Sequence, residues 1–294
     1  MKRRDMLGLC LALLARPALT APPGGESARL GMYMRIARDL NRADARTALE
    51  VWAEELTRKF QVPSEAHFYA DITTLRQDFD AGRLNMVIAD AMTFVRHFKS
   101  DELAEGFTTK LHSDASLLLL ARAGTAKTDL IGKRVAQITN DDVSATYLET
   151  LCLRQHGRVC KDLPISVVPV SNNHQAMTRL LFNQADMALV NRHGYELATE
   201  LNPQLAHAGQ VVNELAFSTQ YFGFFSARVD PAFRRFALRS IPTTHQEVRG
   251  RQLLDVFKVE QVALADPSAL QPFFQLEKEF RSLKARASRK AVLK

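Results

Sequence analysis

The feature that most constrains this chain is a repeated alternation of short apolar segments with amphipathic helical patterns. The alternation occurs twice, first from residue 29 to about 112 and then from 133 to about 213. Within the second series we predict a helix from Val143 to His156 that stops at Gly157, and a helix from Asn173 to Phe182. Strands separated by helical stretches of about 10–18 residues are typical of crossover units on a mostly parallel sheet. We therefore predict an α/β protein with two lobes, each a mostly parallel sheet with flanking helices.

The order of the segments predicts that the chain passes from one lobe to the other and back. The predicted boundaries are 27–113 for lobe 1, 114–213 for lobe 2, and 214–285 for a return to lobe 1 with helices starting near Pro231, Thr243 and Asp266. Ligands of open α/β sheets bind outside the carboxyl ends of the strands. Two such lobes, joined by two hinge crossings, would enclose a cleft that closes by hinge motion.

The N-terminus has the pattern of an export signal. Lys2, Arg3 and Arg4 precede an apolar stretch at 6–15, and small residues near Ala21 offer a cleavage site. The apolar stretch is too short to span a bilayer. We predict a signal peptide at 1–21 and a periplasmic location. The Arg pair leaves both the Sec route and the twin-arginine route open.

The positive charge of the chain lies at its two ends. The formal net charge is +7, of which residues 1–21 carry +3 and the stretch from Lys278 onward +6, so the remainder carries −2. A nucleic-acid-binding body needs a basic stripe with aromatic residues nearby, and none is visible. The tail at 286–294 is interpreted as a solvated helix end, with contact to an anionic membrane surface as the alternative.

Cysteine usage and motif content point away from catalysis. Cys10 lies in the predicted signal, which leaves Cys152 and Cys160. An even pair in an oxidising compartment favours a disulfide, with two free thiols as the alternative. The sequence shows no metal-ligand spacing, no Gly-rich phosphate loop and no nucleophile motif. We predict no catalytic residues, no metal and no cofactor.

Three stretches together resemble a known family. Residues 68–88 (FYADITTLRQDFDAGRLNMVI), 129–148 (DLIGKRVA running on to SATYL) and 173–190 (NHQAMTRLLFNQADMALV) follow its motifs in order. They are similar to the phosphate/phosphite/phosphonate-type periplasmic binding proteins of ABC importers. The resemblance implies a two-lobed type 2 periplasmic-binding, transferrin-like fold. It also implies capture of a small polar, anionic solute for an ABC permease.

One stretch departs from the family pattern. The family carries a Ser/Thr-Ser/Thr-Gly cluster before the first helix of lobe 2, where hydroxyls and backbone N–H groups hold phosphoryl oxygens. Here residues 140–146 read NDDVSAT, so Ser144 and Thr146 supply hydroxyls but two Asp residues lie beside them. Carboxylates at a helix N-terminus repel an anion. A different small ligand on the same scaffold therefore stays an open alternative.

The candidate ligand-binding residues follow predicted strand ends or begin the first helix of lobe 2. They are Tyr33, Asp90, Thr93, Ser144, Thr146, Asn191 and Arg192. Four of them have a structural alternative: Asp90 and Ser144 as helix caps, Arg192 as a solvated charge, and Tyr33 as a core residue.

The partners expected from this interpretation are a small solute and a permease at the inner membrane, with the protein acting as a monomer and binding no nucleic acid. Two alternative functions remain at this point. One is a periplasmic sensory protein that signals to a membrane kinase. The other is an enzyme on the same fold, which would need a cleft residue with a strongly shifted pKa beside a partner.

Overall fold

The computed structural model describes residues 27–33, 63–110, 115–122, 129–217, 221–256 and 259–292, and residues 46–58 with gaps at 48, 49, 52 and 56. The predicted signal peptide at 1–21 lies outside the described residues. The described part of the chain forms two β-sheets with helices around them. This confirms the predicted two-lobed α/β class.

Sheet 1 has six strands in the order β11-β4-β10-β3-β1-β2. The strands are β1 (Ala28–Tyr33), β2 (Ser64–Tyr69), β3 (Met86–Asp90), β4 (Leu103–Lys110), β10 (Tyr221–Ser226) and β11 (Gln261–Ala265). Its first crossover helices are α1 (Ile72–Asp80) and α2 (Ala91–His97). The central strand β3 is buried along its whole length, because one core cluster covers Val87 and Ala89 and another covers Met86 and Ile88.

Sheet 2 has five strands in the order β7-β6-β8-β5-β9. The strands are β5 (Leu117–Arg122), β6 (Arg134–Ile138), β7 (Ser166–Val170), β8 (Met187–Asn191) and β9 (Gly209–Leu215). The helices between them are α3 (Asp142–His156), α4 (Asn173–Leu181) and α5 (Arg192–Leu201). The sequence analysis predicted helices α3 and α4 to within one residue at each end.

The two sheets repeat one arrangement. In each, a polar side chain just before the third strand of the series bonds to the start of the first. Asn85 Oδ1 accepts from the backbone N–H of Arg29 at 2.7 Å, and Asp186 Oδ2 accepts from that of Arg134 at 3.0 Å. These bonds join the starts of neighbouring parallel strands.

One detail of the predicted fold class is wrong: the sheets are mixed, not mostly parallel. Strands β1, β2 and β3 pair in parallel, as do β6, β7 and β8. Strands β10 and β5 then pair antiparallel with β3 and β8. The reason is topological, because β5 and β10 each arrive from the opposite sheet and run against the crossover strands.

The sequence analysis assigned no strand to two segments, the inner strand β4 and the edge strand β11. In β4 the buried residues Leu103, Gly106 and Phe107 do not alternate strictly with exposed ones, so the period-two signal is weak. Gly106 lies against the backbone of β10, where a Cβ would approach the Gly223 carbonyl oxygen to 1.9 Å. Strand β11 is short, and among the described residues it pairs with β4 alone, at the sheet edge.

Of the three helical starts predicted near Pro231, Thr243 and Asp266, the first is confirmed, whereas the α-helices after the other two begin later, at Val248 and Gln271. Helix α6 (Pro231–Ala237) begins as predicted, and a 3-10 segment (Leu238–Gln246) precedes α7 (Val248–Val256). Asp266 caps a 3-10 turn that leads into the long helix α8 (Gln271–Val292). Helix α8 packs against α3 and α2, and one buried core cluster includes residues from both sheets and from α8.

The predicted disulfide is present. Cys152 and Cys160 are bonded, with their Cα atoms 5.4 Å apart. Helix α3 ends at Gly157, which adopts the left-handed conformation with φ 64°, and this turn brings Cys160 back to the helix. Glycine adopts that conformation at no steric cost, as the predicted helix stop requires.

The Asp186–Arg134 pair leads to a pH prediction. Hydrogen bonds from Arg134 hold the pKa of Asp186 down at about 2, below its usual 3.8. A carboxyl group whose pKa is lower in the folded state stabilises the fold above its unfolded pKa and loses that effect as the pH falls through the folded value. Replacing Asp186 with Asn should lower the free energy of unfolding at pH 7 by about 1 to 2 kcal/mol, allowing for the partly exposed guanidinium. Urea titrations should show the difference shrinking from pH 4 to pH 2, and a difference independent of pH would contradict the assignment.

Candidate functional site

The parallel strands of sheet 1 end at the edge where the chain passes between the two sheets, and we call this edge its carboxyl edge. Asp90, the last residue of β3, pairs with Tyr221, the first residue of β10. Strand β10 follows β9 of sheet 2, so this edge is where the chain enters sheet 1 from the other sheet. Tyr33 ends the neighbouring parallel strand β1 at the same edge.

The carboxyl edge of sheet 2 lies at the same crossings. Asn191, the last residue of β8, pairs with Leu117, the first residue of β5. Leu117 also pairs with Leu215, the last residue of β9, so both chain crossings meet sheet 2 here. Strand β6 ends at this edge too, and residues 139–141 lead from it directly into α3. The N-termini of α2, α3 and α5 therefore lie at facing edges of the two sheets.

The N-terminus of α2 is closed by a buried carboxylate. Asp90 Oδ1 accepts from the Thr93 backbone N–H at 2.9 Å, and its Oδ2 accepts from the Thr93 hydroxyl at 2.7 Å. Asp90 and Thr93 are both buried. The cap role of Asp90 is confirmed, and the hydroxyl of Thr93 is oriented by that cap.

The N-terminus of α3 is capped by Asp141 and not by Ser144. Asp141 Oδ1 accepts from the backbone N–H groups of Val143 and Ser144 at 3.1 and 3.3 Å. The alternative that Ser144 caps the helix is wrong, because Ser144 lies inside the first turn, is fully buried and donates its hydroxyl to the Asp141 carbonyl. Thr146 donates its hydroxyl to the carbonyl of Asp142 at 2.6 Å.

The N-terminus of α5 is capped by an amide. Asn191 Oδ1 accepts from the Gly194 backbone N–H at 2.6 Å, and Asn173 accepts from the backbone N–H of Asn191. Arg192 pairs with Glu214 on β9, with its Nη2 at 2.8 Å from each carboxylate oxygen. The Arg192 guanidinium lowers the pKa of Glu214. Arg192 is thus an ion-pair residue at this edge, and not the solvated charge that the sequence left open.

Tyr33 is half-buried and packs against the main core cluster, next to Tyr69 of the neighbouring strand. Its body therefore contributes to the core, as its structural alternative predicted. The ring nevertheless lies at the carboxyl edge of sheet 1, where the helix N-termini of the two sheets face each other. A contact with ligand stays a prediction for this residue.

A basic residue that the sequence analysis missed joins α2, α3 and α8. Arg96 contacts the Thr146 hydroxyl at 2.7 Å, Asp142 at 3.3 Å and Glu277 at 3.0 Å. The Glu277 side chain is only 8% exposed and also pairs with Arg281 at 2.7 Å. No local sequence signal marks Arg96, because its partners come from segments far along the chain.

Tyr147 carries a buried hydroxyl with no hydrogen-bond partner among the described residues. Burial raises the pKa of Tyr147 to about 12, so the group is a neutral donor. It follows Thr146 in the first turns of α3, and the Glu214 carboxylate adds to the rise in its pKa. A buried donor that lacks a partner costs free energy unless a ligand or water satisfies it.

Comparison with known families decides the class of the protein. The sequence matches the family described as "ABC transporter, phosphonate, periplasmic substrate-binding protein" over residues 36–270, which is most of the chain. The chain belongs to this family. As a phosphonate-type periplasmic substrate-binding protein it is a solute-binding component of an ABC transporter, as the sequence resemblance implied.

Several solved structures of low sequence identity share the fold. PhnD1 from Prochlorococcus marinus, solved with methylphosphonate, superposes with a TM-score of 0.60 at 11% identity, covering 87% of this chain and 99% of that one. XAC2383 from Xanthomonas citri, solved with chloride, gives 0.58 at 13% identity, covering 90% and 98%. A binding-protein component of an ABC phosphonate transporter from Pseudomonas aeruginosa gives 0.53 at 12% identity, covering 89% of each chain. A search of curated proteins found no match.

Membership of this periplasmic family makes the protein extracytoplasmic. Within the part of the chain that the structure describes, every helix is too short or too polar to cross a membrane. In the same described residues, no group of three or more His, Cys, Asp or Glu side chains is arranged to hold a metal ion.

Proposed function

We propose that this binding protein captures a small phosphonate- or phosphate-like anion between its two lobes and delivers it to an inner-membrane ABC permease. It acts as an exported monomer and breaks no bond in its ligand. The observation that carries the proposal is the convergence of the N-termini of α2, α3 and α5 at facing sheet edges. Helix N-termini favour anions because N–H groups and the helix dipole point at the ligand.

The proposed ligand contacts differ in the hydrogen bonds that their side chains already make within the protein. Thr93 and Ser144 donate their hydroxyl protons to Asp90 and to the Asp141 carbonyl, so each hydroxyl would exchange that acceptor for an oxygen of the anion. The Thr146 hydroxyl is already engaged by Arg96, so we assign it a minor part. The unpartnered Tyr147 hydroxyl is a further donor that an oxygen-rich ligand would satisfy.

The remaining proposed contacts are Tyr33, Asp90, Asn191 and Arg192. Asp90 acts through Thr93, since both of its carboxylate oxygens are used by that residue. Asn191 caps the first turn of α5, and Tyr33 offers an aromatic contact surface at the edge of sheet 1. Arg192 supplies the positive charge that offsets the two carboxylate caps.

Arg192 must exchange a partner to bind an anion. In the structure its guanidinium is held by Glu214, and in the ligand complex the anion would take the place of that carboxylate. The exchange leaves the Glu214 carboxylate without Arg192, which weakens anion binding by the free energy of that lost pair. The proposal therefore predicts opposite effects for changes at the two residues of this pair.

The experiment is a ligand screen by equilibrium unfolding with phosphate, phosphite, alkylphosphonates, sulfonates and amino acids. A ligand at about 100 times its Kd should stabilise the protein by about 2.7 kcal/mol. Arg192→Met should weaken anion binding by roughly 10- to 100-fold, the range for losing a charged hydrogen bond. Glu214→Gln should leave binding intact or strengthen it, because it frees Arg192.

The matched control is Arg158→Met, which removes an exposed arginine beyond the end of α3. It should bind ligand like the parent chain. Absence of stabilisation by every anion would exclude the phosphonate-like ligand. Equal affinities of the Arg192 variant and the parent chain would remove Arg192 from the site and leave the fold assignment unaffected.

A further inference from the structure

The C-terminal end of α8 is a basic surface that ligand capture does not use. Phe273, Leu276 and Glu277 are buried, but from Arg281 onward the described side chains of this helix are exposed or half-exposed. Residues 281–292 continue as helix for about 18 Å at the usual rise per residue. We call residues 281–292 the basic helix end.

All charged residues of the basic helix end are cationic. Its exposed cationic side chains are Arg281, Lys284, Arg286 and Arg289. No Asp or Glu follows Glu279 in the sequence. Among the described residues, Arg281 pairs back to Glu277 and Lys284 lies 5.3 Å from the ring centre of Phe280, whereas no carboxylate is paired with Arg286 or Arg289.

The location of these charges favours an external partner over a structural role. The body of the chain without its two ends has a net charge of −2, so the basic helix end is the region of opposite sign. The cations alternate with small or apolar residues such as Leu283 and Ala287. Long basic side chains of this kind bury their stems against an interface and keep their charges at an anionic headgroup layer.

We propose that the basic helix end docks on an anionic phospholipid surface. A protein that must deliver solute to a membrane permease gains local concentration from weak, reversible attraction to the membrane. The attraction is electrostatic and is carried by exposed charges, so it falls steeply with ionic strength. It involves neither sheet edge and leaves ligand binding unchanged.

The test is flotation with lipid vesicles, using protein purified after export so that the predicted signal 1–21 is absent, as verified by mass spectrometry. One set of vesicles contains 30% phosphatidylglycerol in phosphatidylcholine, and the other contains phosphatidylcholine alone. We expect binding to the first set at low salt, release at 0.5 M NaCl, and no binding to the second. The triple variant K284Q/R286Q/R289Q should bind the anionic vesicles at least tenfold more weakly.

The matched control removes the same net charge from three exposed residues elsewhere, as R158Q/K161Q/R251Q. This control should float like the parent chain, and circular dichroism should show equal helix content in all three proteins. A parent chain that binds neither vesicle set overturns the proposal. So does equal loss in the two triple variants, since that would reflect total charge and not the basic helix end. Ligand-induced stabilisation should be equal in all three, which keeps this result separate from the proposed function.

Discussion

Removing the ring of Phe273 is expected to lower the free energy of unfolding by about 3 to 5 kcal/mol, the usual range for Phe→Ala in a well-packed core. Phe273 is 1% exposed and lies in the first turn of α8. Its ring centre is 4.9 Å from that of Phe217 and 6.4 Å from that of Phe222. These two residues flank the return crossing between the sheets, so the cavity would form where three segments meet.

The control for this variant is Phe182→Ala. Phe182 ends α4 and is 64% exposed, so its loss should change stability by less than about 0.5 kcal/mol. Urea unfolding monitored by circular dichroism measures both variants. A loss below 1 kcal/mol for Phe273→Ala would mean that α8 does not fix the crossing. We expect a parallel loss of ligand affinity, because closure of the two sheets on a ligand depends on the geometry of that crossing.

Local signals explain why the crossover units were predictable. Helix α3 was expected at Val143 to His156 and spans Asp142–His156, because an Asx cap begins it and Gly157 ends it. Helix α4 has an equally clear start signal, because Asn172 caps it by accepting from the Gln175 N–H. Caps, helix stops and buried apolar strands all depend on neighbours within a few residues. Such features can be inferred from sequence without knowing the rest of the fold.

The missed features depend on contacts between distant segments. Residues 103–110 form strand β4 because β10 and β11, more than 100 residues later in the chain, pair with it on both sides. The antiparallel character of β5 and β10 comes from where the chain returns, which no local pattern records. For the same reason the sequence predicted a mostly parallel sheet from the crossover units alone.

The sequence predicted where the candidate residues lie in the sheets better than it predicted what their side chains contact. The residues at the ends of β3 and β8 do lie at facing sheet edges, as the rule for open α/β sheets requires. What each side chain does there could not be predicted, because the partners are remote. Arg192 is held by Glu214, and Thr146 is held by Arg96, 50 residues away.

Replacing Arg96 with methionine is expected to lower the free energy of unfolding by about 2 to 4 kcal/mol. Its guanidinium joins Asp142 and Thr146 of α3 to Glu277 of α8, and its side chain is 27% exposed. Removing one member of a largely buried ion pair costs about 3–5 kcal/mol because the remaining charge is left without compensation. The remaining Arg281–Glu277 bond moderates the loss, which sets the lower end of the range.

Two companion variants separate the network from a general effect of losing an arginine. Arg46→Met removes an exposed arginine whose i,i+4 pair with Glu50 contributes a few tenths of a kcal/mol, so it should be nearly neutral. Glu277→Gln in the Arg96→Met background should recover part of the stability, since it removes a buried charge that has lost one of its two arginine partners. Urea unfolding of the parent chain, Arg96→Met, Glu277→Gln and the double variant completes the cycle and gives the coupling energy directly.

The same network connects stability to ligand capture. Arg96 lies on a helix that follows sheet 1, whereas Asp142 and Thr146 begin a helix that follows sheet 2. If this bridge sets how the two sheets meet, Arg96→Met should also weaken the ligand identified in the screen, although Arg96 is not proposed to touch it. Arg96→Lys keeps the charge but lacks the planar fork needed for three acceptors, and it should fall between the parent and Arg96→Met in both measurements. Stability of Arg96→Met within 0.5 kcal/mol of the parent would show that hydrophobic packing around α8 is sufficient without the bridge.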